Sequence, residues 1–269
     1  MSARLRSAAR VALPPATVAL AVIGIWFFIT YVVLAPRRRF LLPPPQDVIK
    51  VGILDGDHLN EILGALGQSV AVAIVGLGIA TLLGFVFAVA MSQARWVERS
   101  IYPWAVVLQT VPILAIVPLI GFWFKFGFPS RVIVCVLIAL FPIITNTLFG
   151  LKSADRDHHD LFTLNEASRS QRLLLLQLPW ALPAIITGLR ISAGLSVIGA
   201  IVGDYFFQQG SPGLGRLLSD YTYQLESEQL IATVFFCCLL GLTAFWLFGL
   251  LGRIVAGWHE SYAPAGERS

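Results

Sequence analysis

Asp155-Arg156-Asp157-His158-His159-Asp160, continuing through Asn165-Glu166-Ala167-Ser168-Arg169-Ser170-Gln171-Arg172, forms a charged island between long apolar stretches. At Leu173-Leu174-Leu175-Leu176-Gln177-Leu178-Pro179 the chain turns apolar abruptly, and a second Leu-Pro follows at Leu182-Pro183. A segment this polar and this long is not a tight link between two buried helices. It reads as one or two short amphipathic helices outside a membrane, ended by prolines at N1-type positions of the next span. Composition alone allows an ordinary solvated loop equally well.

What flanks the island sets the class. The chain is 57% hydrophobic and 13% charged, against about 25% charged in a soluble average. Mean hydropathy is +0.79, and several apolar runs are long enough to cross a bilayer as helices. None alternates as a barrel strand does. The expected class is an all-α polytopic membrane protein. The formal charge of +4 comes from basic residues scattered over loops, which is topology selection and not a nucleic-acid surface. Cys135, Cys237 and Cys238 all fall inside apolar runs, so they predict buried small hydrophobes, with no disulfide framework and no metal site.

Six spans are expected: Val18–Leu34, Val70–Met91, Tyr102–Phe124, Val132–Leu151, Ala184–Phe206 and Leu230–Ile254. The stretch Ala16–Ala35 exceeds a signal-peptide core and lacks a clean cleavage site, so it reads as the first span. Pro44 and Pro45 break any continuing helix, and Asp47–Leu66 suits one or two helices along the interface. Arg95–Arg99 reads as a short polar turn. The division is residues 1–66 as an N-terminal span with an extracytoplasmic interfacial helix, 67–254 as a five-span core carrying the loop 152–179, and 255–269 as a cytoplasmic tail. With both termini inside, the inner segments hold eleven basic residues (Arg4, Arg6, Arg10, Arg95, Arg99, Lys152, Arg156, Arg169, Arg172, Arg253, Arg268). The outer segments hold six: Arg37, Arg38, Arg39, Lys50, Lys125 and Arg216. That bias places the termini in the cytoplasm and the chain in a cell (plasma or inner) membrane.

The chemistry expected of a catalyst is missing. Lys50, Lys125 and Lys152 are the lysines, and none lies in a G-x-x-x-x-G-K-[ST] phosphate cradle. His58, His158, His159 and His259 lie outside the spans, with no H-x-x-x-H pair. A proton-coupled carrier ordinarily keeps a carboxylate or His near the midplane; the nearest acid here, Asp204, sits at the outer end of the fifth span. Arg190, near its inner end, reads as an interfacial anchor that snorkels. Gly188, Ser192, Ser196, Gly199 and Gly203 recur at three and four residues and share one helix face. They form either a close-packing seam or a smooth wall of a substrate path. Gln109, Thr110, Thr145 and Asn146 are the other polar residues at membrane depth, for interhelical hydrogen bonds or for the path. A secondary carrier and a membrane enzyme remain the alternatives on these patterns.

The island resembles the cytoplasmic loop of binding-protein-dependent ABC importer permeases: Glu-Ala-Ala, three residues, Gly, nine residues, Ile, one residue, Leu-Pro. Counted back from Leu178-Pro179, Leu176 takes the Ile position, Glu166 the Gly, Asp160 the Glu, and Leu161 and Phe162 the two Ala. The acid, the aliphatic and the Leu-Pro hold; the Ala pair and the Gly do not. Leu42-Pro43-Pro44, Gln109-Thr110-Val111-Pro112, Gly188-Leu189-Arg190 and Val202-Gly203-Asp204-Tyr205-Phe206 resemble the nitrate, sulfonate, taurine and vitamin-precursor branch. The resemblance implies a non-catalytic permease subunit without a cofactor. Its expected partners are ABC ATPase subunits, a second permease copy or paralogue and an extracytoplasmic solute-binding protein. Asp160, Leu161, Phe162, Asn165, Glu166, Ala167 and Ser168 are then the expected ATPase-coupling residues. Leu178, Pro179, Pro183 and Arg190 form the loop-to-span junction, and Gln109, Thr110, Asn146, Ser192, Ser196, Gly199 and Asp204 the substrate path. Implied solutes range from small sulfonates, nitrate or bicarbonate-like anions to riboflavin and pyrimidine vitamin precursors. A Gly at the turn would supply a positive φ, which Glu166 adopts only at a cost.

Overall fold

The computed structural model describes residues 2–255, and the expected tail lies almost wholly outside them. The described chain is helical: α1 Ser2–Phe28, α2 Pro45–Gly52, α3 Gly56–Gln93, α4 Arg95–Thr110, α5 Ile113–Phe124, α6 Phe128–Leu151, α7 Arg156–Leu164, α8 Arg169–Arg172, α9 Leu178–Phe206, α10 Leu214–Gln224 and α11 Ser227–Val255. No strand occurs among the described residues. Five helical runs are long and apolar enough to cross a membrane, and the bent pair α4–α5 brings the number to six when it is counted as one span.

Three expectations about these elements are corrected. The third span is not one helix: α4 and α5 meet at 100°. Pro112 has no N–H to offer the Leu108 carbonyl and forces its predecessor out of the helical region, and Val111 is extended at φ −67°, ψ 126°. Arg95–Arg99 is not a turn but the first part of α4, which starts after an extended Ala94. The expected interfacial stretch is divided, since α2 ends at Gly52 whereas residues from Gly56 onward belong to the same 38-residue helix as the second span. At 1.5 Å per residue that helix outruns a hydrocarbon core of about 30 Å. Of the cysteines only Cys135 is buried; Cys237 is half-buried and Cys238 exposed on α11.

The chain splits into two compact units, one up to Leu63 together with Leu217–Phe235, the other Gly64–Arg216 together with the stretch from Phe236 on. In the first unit, Trp26 Nε1 donates to the Pro43 carbonyl (2.9 Å) and Thr30 Oγ1 to that of Leu42 (3.1 Å), so the prolines fold back on the first span. Tyr221 donates to the Glu61 carboxylate at 2.8 Å, and burial, then that carboxylate, push its phenol well above the ordinary value.

In the second unit α6 and α9 are the central pair. Ala88 and Met91 of α3, Ala105 of α4, Leu140, Ile144, Leu148 and Leu151 of α6 and Ala181 of α9 form one apolar cluster. Val117 and Ile120 of α5, Val134 of α6 and Phe207 just beyond α9 form another. The functional elements hang on this frame.

Candidate functional site

The charged island folds as a preset two-helix element. Leu161 and Leu164 of α7, three apart and therefore on one face, are 58% and 84% exposed, beside an exposed Asp160 and a half-buried Phe162. Helix α7 ends in a Schellman motif: the Ala167 N–H donates to the Phe162 carbonyl (3.0 Å) and the Glu166 N–H to that of Thr163 (3.1 Å). Glu166 holds φ at 49°, so the turn is built as a glycine would build it. Ser168 then opens α8 with a capping box. Its Oγ accepts from the Gln171 N–H (3.3 Å), and Gln171 Oε1 accepts from the Ser168 N–H (2.8 Å). Arg172 donates to Thr163 Oγ1 at 3.0 Å, and Asn165 Nδ2 turns back to the Leu161 carbonyl at 2.8 Å.

Replacing Glu166 by Gly is expected to tighten this turn. The left-handed region costs an L-residue about 1–2 kcal/mol, part of which a glycine returns through its freer unfolded state. We expect a gain below about 1 kcal/mol, read as slower tryptic cleavage at Arg169 and Arg172. Faster cleavage would contradict the reading.

Both ends of the element are tied to the α3–α4 turn. Lys152, at the end of α6, pairs with Glu98 of α4, and Gln177, before α9, meets Gln93 of α3 at 3.5 Å. The His158 ring lies 5.1 Å from that of Trp180. At the junction, Leu173–Gln177 is π-helical and the Leu178 N–H reaches back to the Leu173 carbonyl. A widened turn here absorbs Pro179, which has no N–H to continue the α pattern. Pro179 stands at the start of α9 as expected, but Pro183 lies inside the helix. Arg190 lies with its guanidinium 3.8 Å from the centroid of the Phe245 ring of α11.

The residues expected along the path divide among three places. The stripe on α9 packs on α6 turn by turn. Ser192 Oγ donates to the Ala139 carbonyl (2.7 Å), and Cys135 Sγ lies 3.1 Å from the Ser196 carbonyl. A Cβ built on Gly199 would lie 2.7 Å from Cys135 Cα, and one on Gly188 would lie 2.9 Å from Asn146 Cβ. Asn146 Nδ2 donates to the Pro142 carbonyl of its own helix (2.8 Å), and Thr110 Oγ1 likewise to that of Val107 (2.9 Å).

Asp204 occupies a second place, a buried clasp. Its carboxylate is 2.7 Å from Arg131 Nη1, with the two side chains 2% and 3% exposed. It also accepts from the Gly213 N–H (3.2 Å) and the Arg216 N–H (3.0 Å). The two terminal nitrogens of Arg131 donate further to the carbonyls of Phe207, Gln209 and Ser211 at 2.8–2.9 Å. Ser69 Oγ accepts from the Leu214 N–H at 2.9 Å. One ion pair thus anchors the turn after α9, and Phe207, fully buried, is seated against α5 and α6.

Gln109 occupies the third place. It lines a cavity of about 290 Å³ at the α4–α5 break, with Leu108, Val111, Ile113, Phe141 and Leu195 among its walls.

Leu164, Arg131, Trp180 and the tie from Lys152 to Glu98 are additions to the residues expected. Leu164 could have been found from its spacing to Leu161. Arg131 offered a signal as well, being a basic residue at the start of the fourth span while an acid stands at the end of the fifth. Nothing in the spacing of Glu98 and Lys152 points to their contact.

Residues 80–261 match the family model of binding-protein-dependent transport system inner membrane components. The formylaminopyrimidine transport permease protein ThiX of Halalkalibacterium halodurans is 34% identical over 83% of this chain and 88% of its own. The riboflavin transport system permease protein RibX of Chloroflexus aurantiacus is 32% identical over 63% of each chain. In fold, the chain is similar to a subunit of an amino acid ABC transporter crystallised with histidines (TM-score 0.58, 16% identity), over 76% of this chain and 98% of that one. The charged loop, the broken crossing and the apolar helices therefore belong to a permease, and the chain is a member of the binding-protein-dependent transport system inner membrane component family.

Proposed function

We propose that this permease imports a small solute at the expense of ATP hydrolysed on separate subunits, with α7 and α8 as the element through which those subunits act. The observation that carries the reading is the pair Leu161 and Leu164, two large apolar side chains held outward on a short charged helix whose turn and caps leave it little freedom. Exposed leucines on a rigid element outside the spans suit a groove on a partner protein.

Force entering at α7 has two routes inward. One runs through Lys152 and Glu98 into α4, the helix that ends at the break. The other runs through Trp180 and the Leu178-Pro179 junction into α9. ATP-driven closure of the partner would shift both helices and alternate the opening of the path between the two faces. With the positive-inside bias, the element and both termini lie in the cytoplasm. A second permease copy or paralogue completes the path, and an extracytoplasmic binding protein delivers the solute. The solutes named for the relatives, a formylaminopyrimidine and riboflavin, favour a small heterocycle.

The test is the double substitution Leu161→Ala and Leu164→Ala. Each truncation removes roughly 1–2 kcal/mol of buried apolar contact, so the ATPase is expected to be lost from the purified complex, or weakened at least tenfold, while membrane insertion is unchanged. An ATPase retained at full stoichiometry and fully stimulated would contradict the proposal.

A further inference from the structure

The end of the first span carries a charged arrangement that neither the path nor the coupling element uses. Arg37, Arg38 and Arg39 stand in the short turn Pro36–Leu41, just beyond the π-helical Ile29–Val33 that closes the apolar run. The first acidic residue of the whole chain is Asp47, and among the described residues no carboxylate pairs with any of the three arginines. Three guanidinium charges therefore lie where the hydrocarbon ends, flanked by the exposed apolar side chains of Phe40 and Leu41. The turn is held in place from behind. Trp26 and Thr30 of the span bond the Pro43 and Leu42 carbonyls, which ties the segment after the arginines back to the helix before them.

Arg39 is built into a set of donors. Its guanidinium lies 4.9 Å from the centroid of the Tyr31 ring, its Nε is enclosed without a partner, and its terminal nitrogens bond no other described residue. Gln46 Nε2 donates to the Tyr31 hydroxyl at 2.6 Å, so Tyr31 keeps its own O–H proton to give. A guanidinium fork beside a phenolic O–H offers donors alone, which suits the oxygens of a phosphate. The face below is apolar and bare. Ile23, Phe27 and Tyr31 recur every four residues and are all exposed, with the Phe27 and Tyr31 rings stacked 6.1 Å apart. Protein buries only 6% of the apolar stretch of this span, so lipid lies against it. Free phosphate would meet the donors and leave this face unused, whereas an amphiphile matches both. A zwitterionic headgroup would bring an ammonium up to three arginines; an anionic one would not.

We propose that Arg39 and Tyr31, with Arg37 and Arg38 beside them, bind the phosphodiester of an anionic phospholipid whose acyl chain lies along Phe27 and Ile23. The bound headgroup supplies the counter-charge that the protein itself does not give the triplet. The site stands at the end of a span whichever face of the membrane that end meets, and it is independent of the coupling role given to α7 and α8.

The test uses the full chain purified in its complex and delipidated in detergent. It is titrated separately with dioleoylphosphatidylglycerol, dioleoylphosphatidylcholine and inorganic phosphate, and native mass spectrometry counts what is bound. The wild type is expected to prefer phosphatidylglycerol to phosphatidylcholine by about a hundredfold, roughly fivefold for each arginine. Arg39→Gln should lower the affinity for phosphatidylglycerol about fivefold, and the triple Arg37→Gln, Arg38→Gln, Arg39→Gln should remove nearly all of the preference. Tyr31→Phe keeps every charge and the ring, yet should weaken binding about tenfold through the lost O–H, which attraction by charge alone would not show. Arg253→Gln removes an exposed cation near the end of another span and should change nothing. Equal binding of the two lipids by the wild type would overturn the proposal. So would an affinity that Tyr31→Phe leaves intact and that Arg253→Gln lowers as much as Arg39→Gln does. Phosphate that displaces the lipid at comparable concentration would mark a site for a free anion instead. A disulfide-linked pair of chains formed by Ile23→Cys, and absent from the wild type, would show a second copy on this face and would equally overturn it.

Discussion

Replacing Asp204 by Ala is expected to cost about 3–5 kcal/mol, the range for removing one partner of a buried ion pair, because Arg131 would be left charged and enclosed. The loss should be felt well beyond the pair. Arg131 holds the carbonyls of Phe207, Gln209 and Ser211, and Asp204 holds the amides of Gly213 and Arg216, so the pair fixes the backbone of the turn after α9 at five points. Thermal unfolding of the purified complex should shift down, and trypsin should cut at Arg216 far sooner than in the wild type. Arg131→Met combined with Asp204→Leu should recover only the part of the loss that comes from the unpaired guanidinium, since the backbone groups that the pair holds stay without partners. A single Asp204→Ala variant within about 1 kcal/mol of wild type would show that the pair is not the clasp described.

The second large effect is expected at Gly199. Even one added carbon would sit 2.7 Å from Cys135 Cα, a backbone atom of α6 that cannot rotate away. Gly199→Leu must push α9 off α6, and overpacking of this kind reaches or exceeds about 3 kcal/mol. Gly194, on the same helix, has nothing within 4 Å of an added Cβ, so Gly194→Leu is the matched control and should be tolerated. The two variants are compared by yield of the monodisperse complex from membranes and by its thermal midpoint. If Gly199→Leu assembles normally but stops transport, the stripe lines the path after all; loss of assembly marks it as the seam between the two central helices.

Much of the architecture was legible because membrane spans announce themselves by length and hydropathy, and five of the six expected crossings stand close to where composition put them. The third is instructive. Hydropathy runs unbroken from Tyr102 to Phe124, and two prolines fall well within it, Pro112 and Pro118. Pro118 is absorbed inside α5, whereas Pro112 stands at the 100° bend. Which proline kinks and which breaks depends on what packs around each, and no pattern of residue types encodes that. The question raised by Glu166 had a structural answer, since Glu takes the left-handed conformation itself. Contacts between distant residues were the least legible. Arg131 and Asp204 lie on different spans with the whole charged island between them, and only folding brings them to 2.7 Å. The α9 stripe was visible as a face, but a face alone does not say whether a helix or a solute lies against it.

We propose that this subunit works through a separate ATPase held by α7 and α8. The decisive experiment is affinity purification of the tagged chain from native membranes in mild detergent, with mass spectrometry of what accompanies it. An ATPase bearing a phosphate-binding loop is expected in the eluate of the wild type and is expected to be lost from that of the Leu161→Ala, Leu164→Ala variant. A chain that purifies alone and moves solute across liposomes without ATP would contradict it.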